Sequence, residues 1–354
     1  NFINPITFET LTGNKCLVDT FDRNFQFNVE HISLAKLADI FLVAPASADV
    51  IGKIANGIAD DMLTTTIMAC KCPKLISPAM NTNMFTNPIV QDNLKKLEHY
   101  GYEIIQPDSG YLACGDTGAG KMPSEQVLLN YILRTIAKDK DMAGIKLTVT
   151  AGPTREKLDP VRFLSNNSTG KMGYAIAKMA MLRGADVTLI SGKVSLEPVP
   201  FVKMVDIVSA EDMYNAVIKS AKDADIIIKA AAVADYRPSD VSDEKIKKKD
   251  GDMSIPLERT KDIIGTLGSN KRDGLFLCGF SMETEHMLDN SKVKLTKKNL
   301  DMIVANNVKV AGAGFGTDTN VVTVITKDAV EELPMMSKEE VADALLDRIM
   351  KARQ

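Results

Sequence analysis

The first half of this 354-residue chain contains three side chains whose types suit proton transfer and carboxylate binding: His31, Asn81 and Cys114. A histidine can accept or direct a proton near neutral pH, and a cysteine thiol can donate one. The amide of an asparagine can hold a carboxylate without giving it a proton. Each of these residues is also common in purely structural positions, so only their combination indicates a site.

The second half contains a long polar loop and two groups of lysines. The loop spans residues 152–170, contains Asn166 and leads into a helical pattern, where free backbone N–H groups and the helix dipole favour an anion. Lys245 begins the run KIKKK, whereas Lys294 and Lys298 are four residues apart and share one helix face. A lysine run alone is more often solvated surface, but two such groups could offset the charge of a nucleoside triphosphate and stabilise departing pyrophosphate.

Small residues follow the strand pattern that precedes Ala230. The sequence AAAVADYRP places Ala230 and Ala231 where a ligand could approach the backbone. Two familiar nucleotide motifs are absent from the sequence. No G-x-G-x-x-G follows the strand pattern at 146–151, and GDTGAGK at 115–121 lacks the G-x-x-x-x-G-K-[ST] spacing of a phosphate-binding loop.

The elements that must position these residues alternate between strands and helices. Short apolar segments predict strands at 39–44, 74–77, 146–151, 186–190, 225–230, 275–280 and 301–305. Longer segments with helical patterns predict helices at 87–100, 124–138, 171–183, 210–222 and 284–298. This alternation predicts βαβ units and an α/β fold with doubly wound parallel sheets. In such sheets ligands bind beyond the carboxyl ends of the strands, which is where the polar loops occur.

Length and composition favour two α/β domains of a cytoplasmic protein. The chain is too long for one ordinary core, and the charged segment at 137–144 is the best linker, so we expect domains at 1–141 and 142–354. With 25% charged residues and a net charge of −3, nothing indicates a nucleic-acid or membrane partner. No apolar run approaches the roughly 20 residues that span a bilayer. Five cysteines, an odd number, fit a reducing cytoplasm better than a disulfide framework.

Four short motifs in the first half form a set: HISLAK, PASAD, PAMNTNMF and ACGDTGAGKM. Over residues 1–137 they resemble the phosphopantothenoylcysteine decarboxylase family of FMN proteins. The resemblance implies a flavodoxin-like domain with His31 as the catalytic histidine, Asn81 on the substrate carboxylate and Cys114 as the proton donor. The residues that it implies for the flavin are Pro45, Ser47, Asp49 and Met80. The chemistry is consistent, because oxidation of the substrate thiol by FMN creates an electron sink for the loss of CO2.

One feature of that family is expected to be missing. Its members open with a strand, a Gly-rich turn and a helix that bind the flavin phosphate, whereas the matched region here begins at Asn1, after all three. The N-terminus of such a helix is a ready site for a phosphate. We therefore expect the chain as given to bind little or no FMN and to release no CO2, while its ligase activity stays near normal.

The second half contains the motifs AGPTREKLDPVRFLSNNSTGKMG, AAAVADYRP, EKIKKK, TKDIIGTLG and KLTKKNLDMIVANN. Over residues 145–354 they resemble bacterial phosphopantothenate–cysteine ligase, which implies a Rossmann-like domain. In that reaction 4'-phosphopantothenate attacks CTP to give an acyl-cytidylate and pyrophosphate, and cysteine then displaces CMP. Asn166 would handle the acyl-cytidylate, and Lys245 would be the catalytic lysine. The CTP-binding positions that the resemblance implies are Ala230, Ala231, Asp235, Lys245, Lys261, Asp262, Ile263, Ile264, Phe280, Lys294 and Lys298.

Together the two resemblances imply a bifunctional enzyme of coenzyme A biosynthesis that forms homo-oligomers. Mg²⁺ is implied by the triphosphate and not by any motif of metal ligands, which stay unknown. Two alternatives stay open at this point. A nicotinamide-dependent dehydrogenase would need the glycine motif that the strand at 146–151 lacks. A ligase alone would use the first half only as an oligomerisation module.

Overall fold

The computed structural model describes residues 3–20, 29–112, 115–247, 253–283, 287–307, 314 and 316–353. Cys114, the expected proton donor, lies outside the described residues, as do the last two lysines of the run that begins at Lys245. The chain divides into two compact units, Asn1–Ala137 and Lys138–Gln354.

The first unit combines a small parallel sheet with helices and one hairpin. Its helices are α1 (Pro5–Thr12), α2 (Glu30–Leu37), α3 (Ala48–Asn56), α4 (Met62–Ala69), α5 (Thr82–Phe85), α6 (Pro88–His99) and α7 (Glu125–Ile136). Its strands are β1 (Phe41–Ala46), β2 (Lys74–Pro78), β3 (Glu103–Ile104), β4 (Asp108–Tyr111) and β5 (Thr117–Lys121). Strands β1, β2 and β3 are parallel in that order, whereas β4 and β5 form an antiparallel hairpin.

Both faces of this sheet are covered by apolar side chains. Adjacent residues of a strand point to opposite faces, so Leu75 and Ile76 of β2 belong to different clusters. Ile76 packs with residues of α3 and α6, such as Ile51 and Leu97, whereas Leu75 packs with Leu128 of α7. In contrast, α1 and α2 bury none of their residues within the described chain.

The second unit is built on a larger sheet. Its helices are α8 (Lys171–Leu182), α9 (Ala210–Ser220), α10 (Ile263–Ser269), α11 (Met287–Lys297) and α12 (Lys338–Ala352). Its strands are β6 (Lys146–Ala151), β7 (Glu156–Lys157), β8 (Phe163–Leu164), β9 (Asp186–Ser191), β10 (Lys203–Asp206), β11 (Ile226–Lys229), β12 (Tyr236–Pro238), β13 (Leu257–Arg259), β14 (Phe276–Glu283), β15 (Met302–Asn307), β16 (Thr319–Thr326) and β17 (Val330–Ser337).

Eight of these strands form one sheet in the order β10-β9-β6-β11-β14-β15-β16-β17. Helices α8 and α12 pack on one face, where Ile176 and Leu345 contact a cluster that contains Val149 of β6. Helices α9, α10 and α11 pack on the other, where Met213 belongs to a cluster that contains Ile227 of β11. The three layers confirm the predicted α/β class.

The sheet is not wholly parallel, which corrects the expectation of a purely parallel sheet. In this spatial order, every neighbouring pair from β10 through β9, β6, β11 and β14 to β15 is parallel. The pairs β15–β16 and β16–β17 are antiparallel. Strands β16 and β17 were not predicted from the sequence. The outermost, β17, buries only Leu333 fully, because an edge strand needs few apolar residues and therefore lacks an apolar pattern. Among the described residues, no helix is both long and apolar enough to cross a membrane.

Candidate active sites

The chain order of the larger sheet reverses beside β6. After β6 the chain adds β9 and β10 on one side, and it then returns to place β11, β14 and β15 on the other. The loops that leave β6 and β11 run side by side at first, since Ala232 donates its backbone N–H to the Gly152 oxygen at 3.1 Å. They then diverge, and such a switch point is where α/β sheets bind ligands.

Helix α8 comes directly to this edge because Gly173 lets it approach β6. A Cβ at position 173 would lie 2.6 Å from the Cβ of Ala151 and 2.8 Å from the Thr150 oxygen. Any other residue would push the helix away from the strand. The helix begins after Gly170, whose φ of 78° is in the left-handed region that glycine tolerates.

Asn166 joins the two diverging loops. Its Nδ2 donates to the backbone oxygen of Ala232 at 2.7 Å, and its Oδ1 accepts from the N–H of Ser168 at 3.0 Å. The expected intermediate-binding asparagine therefore lies at the switch point. Its amide holds the loop after β6 against the loop after β11.

A first cavity of about 290 Å³ opens between α8, the loop after β11 and the start of α12. Of the expected nucleotide residues, Ala230, Ala231, Asp235 and Phe280 line it. Residues that were not predicted line it too, among them Asn306, whose buried Oδ1 has no hydrogen-bond partner among the described residues. Both polar and apolar groups therefore line this cavity, which is large enough for a ligand.

Lys338 stabilises one wall of the first cavity. It is 6% exposed and donates to the backbone oxygen of Gly314 at 3.0 Å and to that of Thr317. Burial lowers the pKa of Lys338, and the nearby charge of Lys171 lowers it further, although Asp318 opposes this. The paired ammonium of Lys338 is therefore part of the scaffold.

A second cavity of about 330 Å³ adjoins the first and contains most of the other expected nucleotide residues. Lys261 lies on its wall and pairs with Glu211 of α9 at 2.6 Å. Lys298, just beyond the end of α11, pairs with Asp262 at 2.9 Å. Burial opposes ionisation of Asp262, but the hydrogen bond from Lys298 prevails and lowers the pKa of Asp262.

The side chains of two expected nucleotide residues are directed into the core. Ile263 and Ile264 are 2% and 7% exposed and pack with the cluster on the α9–α11 face. Only their backbone groups can face a nucleotide. Lys294 lies on α11 one turn before Lys298, and both contribute positive charge at the end of β11.

Lys245 is exposed and does not line either cavity. The next residue, Ile246, is held from both sides: its N–H donates to Asp159 Oδ2 at 3.1 Å, and its oxygen accepts from Arg162 Nη2 at 2.7 Å. Asp159 is itself 2% exposed and bonded to Arg162 at 2.6 Å. The segment with Lys245 is thus anchored to the loop after β6.

The Arg162 guanidinium holds the pKa of Asp159 well below its usual range. Burial opposes this shift, and the backbone N–H groups of Val161 and Ile246 add to it. Neither Asp159 nor Arg162 was singled out in the sequence analysis. The available signal was their position in the motif LDPVRF, within the polar loop at 152–170.

Lys229 was also missed. It is the last residue of β11 and lines both the first and the second cavity. In the sequence it was interpreted only as part of the strand predicted at 225–230. A charged residue that ends an otherwise apolar central strand was the signal that could have found it.

A third cavity of about 500 Å³ adjoins the first, and both are lined by Ser168 and Thr169. Asn166 lies on its wall, together with the basic residues Arg155 and Lys193. The Arg155 guanidinium stacks over the Phe163 ring at 4.6 Å. This cavity therefore offers positive charge close to the asparagine that joins the two loops.

In the first unit, the loops after β1 and β2 lie at the carboxyl ends of adjacent parallel strands. Pro45, Ser47 and Asp49, expected at the flavin, are exposed, and Ser47 caps α3 through a bond from Val50 N–H at 3.3 Å. Met80 is partly exposed and donates its N–H to the Gly120 oxygen at 3.0 Å. The four expected residues therefore lie at the carboxyl ends of two adjacent strands and in the first turn of α3.

The β4–β5 hairpin folds back onto the loop after β2. Asn81 Nδ2 donates to Asp116 Oδ2 at 3.0 Å, so the expected carboxylate-binding amide meets the hairpin that also contains position 114. His31 is partly buried on α2, which packs against α4. No hydrogen bond links His31 to Asn81 or Asp116 in the described part of the chain. The structure thus brings the loop after β2 and the hairpin together.

Two buried hydroxyl groups at this edge lack a hydrogen-bond partner among the described residues: Ser77 Oγ in β2 and Thr82 Oγ1 at the start of α5. Buried polar groups are normally satisfied. A polar cofactor at the carboxyl end of β2 would suit them. The residues present therefore fit a bound flavin.

Both units match families of known proteins. The family described as "Flavoprotein" matches residues 1–137, and the family described as "DNA/pantothenate metabolism flavoprotein C-terminal domain" matches residues 142–352. The coenzyme A biosynthesis bifunctional protein CoaBC of Bacillus subtilis (strain 168) is 47% identical over 352 residues, which are 98% of this chain and 86% of that protein. The chain belongs to the CoaBC family.

Two further relatives cover one or both units. A crystal structure of the C-terminal domain of a coenzyme A biosynthesis bifunctional protein CoaBC has a TM-score of 0.52 and is 44% identical, covering 60% of this chain and 97% of that one. A cysteine/cysteine sulfinic acid decarboxylase of an unknown prokaryotic organism is 42% identical over 98% of this chain and 99% of that protein.

Membership of the CoaBC family decides between the alternatives that the sequence left open. The chain is an enzyme of coenzyme A biosynthesis that acts on small molecules, with ligase and decarboxylase activities, as expected. A nicotinamide-dependent dehydrogenase is excluded. The match of the first unit to flavoproteins supports a flavin cofactor.

Proposed function

We propose that the second unit joins 4'-phosphopantothenate to cysteine through an acyl-cytidylate formed from CTP, and that the first unit decarboxylates the product to 4'-phosphopantetheine with FMN. The single observation that best supports the ligase reaction is the pair of adjoining cavities at the switch point of the sheet. They contain expected nucleotide residues such as Asp235 and Phe280. Their combined size suits a nucleotide.

In the first ligase step, a carboxylate oxygen of the acid substrate attacks the α-phosphorus of CTP, and pyrophosphate leaves. Negative charge grows on the phosphate oxygens, so a fixed cation close to them accelerates the step. Lys245 is the candidate for this role. The anchor at Ile246 limits where its ammonium can go, because both backbone groups of Ile246 are bonded to the loop after β6.

The acid substrate would occupy the third cavity. Its phosphate needs positive charge, which Arg155 and Lys193 provide, and its carboxylate would then lie near Asn166. In the second step the amine of cysteine attacks the acyl carbonyl and CMP leaves. Asn166 keeps the two loops on either side of this mixed anhydride together.

We propose that Mg²⁺ enters with the triphosphate. Nowhere in the described part of the chain do three or more His, Cys, Asp or Glu side chains form a group that could hold a metal. Mg²⁺ commonly binds through substrate phosphates with few protein ligands.

In the first unit, Asn81 would hold the carboxylate of phosphopantothenoylcysteine. FMN, when bound, supplies the oxidation of the substrate thiol that makes loss of CO2 possible. Its site would lie beside Pro45, Ser47, Asp49 and Met80. His31 would accept the thiol proton, and Cys114 would return a proton after CO2 has left.

We also propose that the protein is cytoplasmic and forms homo-oligomers. Support for the first comes from Cys16, Cys70, Cys72 and Cys278, which are free thiols. Support for the second comes from α1, where Ile6, Phe8 and Leu11 are exposed and no residue is buried. A second copy could cover these exposed side chains.

The ligase proposal is tested by pyrophosphate release with 4'-phosphopantothenate and each of the four nucleoside triphosphates, with and without cysteine. We expect release with CTP, faster than with ATP, GTP or UTP. Equal rates with all four would contradict the assignment of CTP. No release with any of them would contradict the ligase reaction.

The decarboxylase proposal needs a separate measurement because one relative is named for another substrate. CO2 release is compared with phosphopantothenoylcysteine, free cysteine and cysteine sulfinic acid, with FMN added to all assays. We expect release from phosphopantothenoylcysteine alone. Release from free cysteine at a similar rate would overturn the substrate assignment.

A further inference from the structure

The position of Lys229 is central to the second unit. It ends β11, and its register partners are Thr150 of β6 and Gly279 of β14. It lines the first cavity, which reaches α8 and Phe280, and also the second cavity, which reaches Lys261. Lys229 therefore lies on the wall that the two cavities share, together with Val233 and Asp235.

The charge on Lys229 is poorly compensated. The structure records no hydrogen bond or ion pair to its ammonium from the described residues, and the side chain is only partly exposed. Asp262 gives the largest compensation, but it already pairs with Lys298 at 2.9 Å. Burial lowers the pKa of Lys229, as do Lys298 and, more weakly, Lys294, whereas Asp262 and Asp235 oppose this.

A partly desolvated cation without a partner costs free energy, and an anion that binds beside it recovers that cost. A lysine ammonium has three donors and no acceptor, so among the parts of a nucleotide it prefers phosphate oxygens. A nucleoside triphosphate is long enough to extend through two adjoining cavities. Its phosphate chain is the anion that the site lacks.

We propose that Lys229 binds the phosphate chain of the nucleotide where the chain crosses from one cavity to the other. This inference rests on the proposed nucleotide-dependent ligase reaction and adds a phosphate-binding residue to it. Lys229 orients the triphosphate so that the α-phosphorus faces the acid substrate. Lys294 and Lys298 add positive charge from α11 and the residue after it.

The test uses the full-length protein and calorimetric binding of three probes: CTP, cytidine and inorganic tripolyphosphate. The variants are Lys229→Met, which removes the charge and keeps the length, and Lys229→Arg, which keeps the charge. Lys219→Met, an exposed lysine on α9, is the matched control. Circular dichroism and thermal unfolding establish that each variant is folded.

We expect Lys229→Met to weaken the binding of CTP and tripolyphosphate about 10- to 100-fold, the effect of losing one hydrogen bond to a charged group. Cytidine binding should stay within about twofold, and Lys229→Arg should keep most of the affinity. Because phosphate raises the depressed pKa of Lys229 again, CTP binding at alkaline pH should take up protons. That uptake, measured in two buffers of different ionisation enthalpy, should disappear in Lys229→Met.

Unchanged tripolyphosphate affinity in Lys229→Met would overturn the proposal. An equal loss for cytidine would also overturn it, because the lysine would then act only by shaping the site. Failure of the ligase proposal looks different. A parent protein that binds tripolyphosphate through Lys229 but releases no pyrophosphate from CTP would refute the ligase reaction and leave the phosphate site standing.

Discussion

The backbone N–H of Ile246 donates to the carboxylate of Asp159, 87 residues earlier in the chain, at an N–Oδ2 distance of 3.1 Å. Arg162 completes the contact by donating to the Ile246 oxygen at 2.7 Å. The residue next to Lys245 is thereby held from both sides. The exposed lysine that is proposed to act on the nucleotide is positioned by an ion pair between the buried carboxylate of Asp159 and the exposed Arg162.

Asp159→Asn should lower the rate of pyrophosphate release about 10- to 100-fold, because small displacements of a catalytic group have effects of this size. The amide keeps the shape but loses the ion pair with Arg162. Asp243→Asn, an exposed residue of the same segment, is the matched control and should stay near the parent rate. An Asp159→Asn enzyme as fast as its control would show that the anchor has no role in catalysis.

The same carboxylate predicts a pH dependence of stability. The pKa of Asp159 is lower in the folded chain than its ordinary value of 3.8. Its contribution is therefore fully present above the ordinary pKa and is lost as the pH falls through the lower folded value. The difference in urea midpoint between the parent and Asp159→Asn should be constant from pH 7 to pH 5 and should shrink below pH 3.8. A difference that grows on acidification would contradict this sign.

Lys245→Gln should reduce pyrophosphate release by about two to three orders of magnitude while the fold stays intact, as expected for the loss of one charge-stabilising donor. Lys247→Gln lies on the other side of the anchored Ile246 and should change the rate less than threefold. Steady-state release by Lys245→Gln within threefold of the parent would refute the catalytic assignment.

Asn166→Asp should abolish turnover even where CTP still binds. A carboxylate cannot donate to the Ala232 oxygen as the amide does at 2.7 Å, and it places a negative charge beside the phosphate of the intermediate. Its exposed neighbour provides a control, Asn167→Asp. Quenched-flow chromatography follows the acyl-cytidylate directly, and its normal cysteine-dependent decay in Asn166→Asp would refute the role of the amide.

The alternation of strands and helices was readable from the sequence because it depends on local patterns. The strand at 146–151 coincides with β6, and the helix predicted at 171–183 differs from α8 by one residue. Buried parallel strands are nearly continuous apolar runs and therefore stand out. Edge strands such as β17 are half polar and therefore do not stand out in the sequence.

The sequence alone also determined the residue types of both sites, since motifs such as PASAD and SNNSTGKMG keep their chemistry within short loops. It could not show which loops meet. Asn81 and Asp116 are 35 residues apart, and Asp159 and Ile246 are 87 apart, and each pair is joined only by the folded chain.

Tertiary structure also decided which lysines form an ion pair with a carboxylate. Lys261 and Lys298 were expected from the sequence to bind CTP, but their ion pairs with carboxylates of other segments could not be predicted. Lys229 was missed, although a charged residue at the end of an apolar strand was a signal for it. Whether its ammonium has a partner depends on burial and on which residues from other parts of the chain approach it. Both are properties of the fold and not of any local pattern.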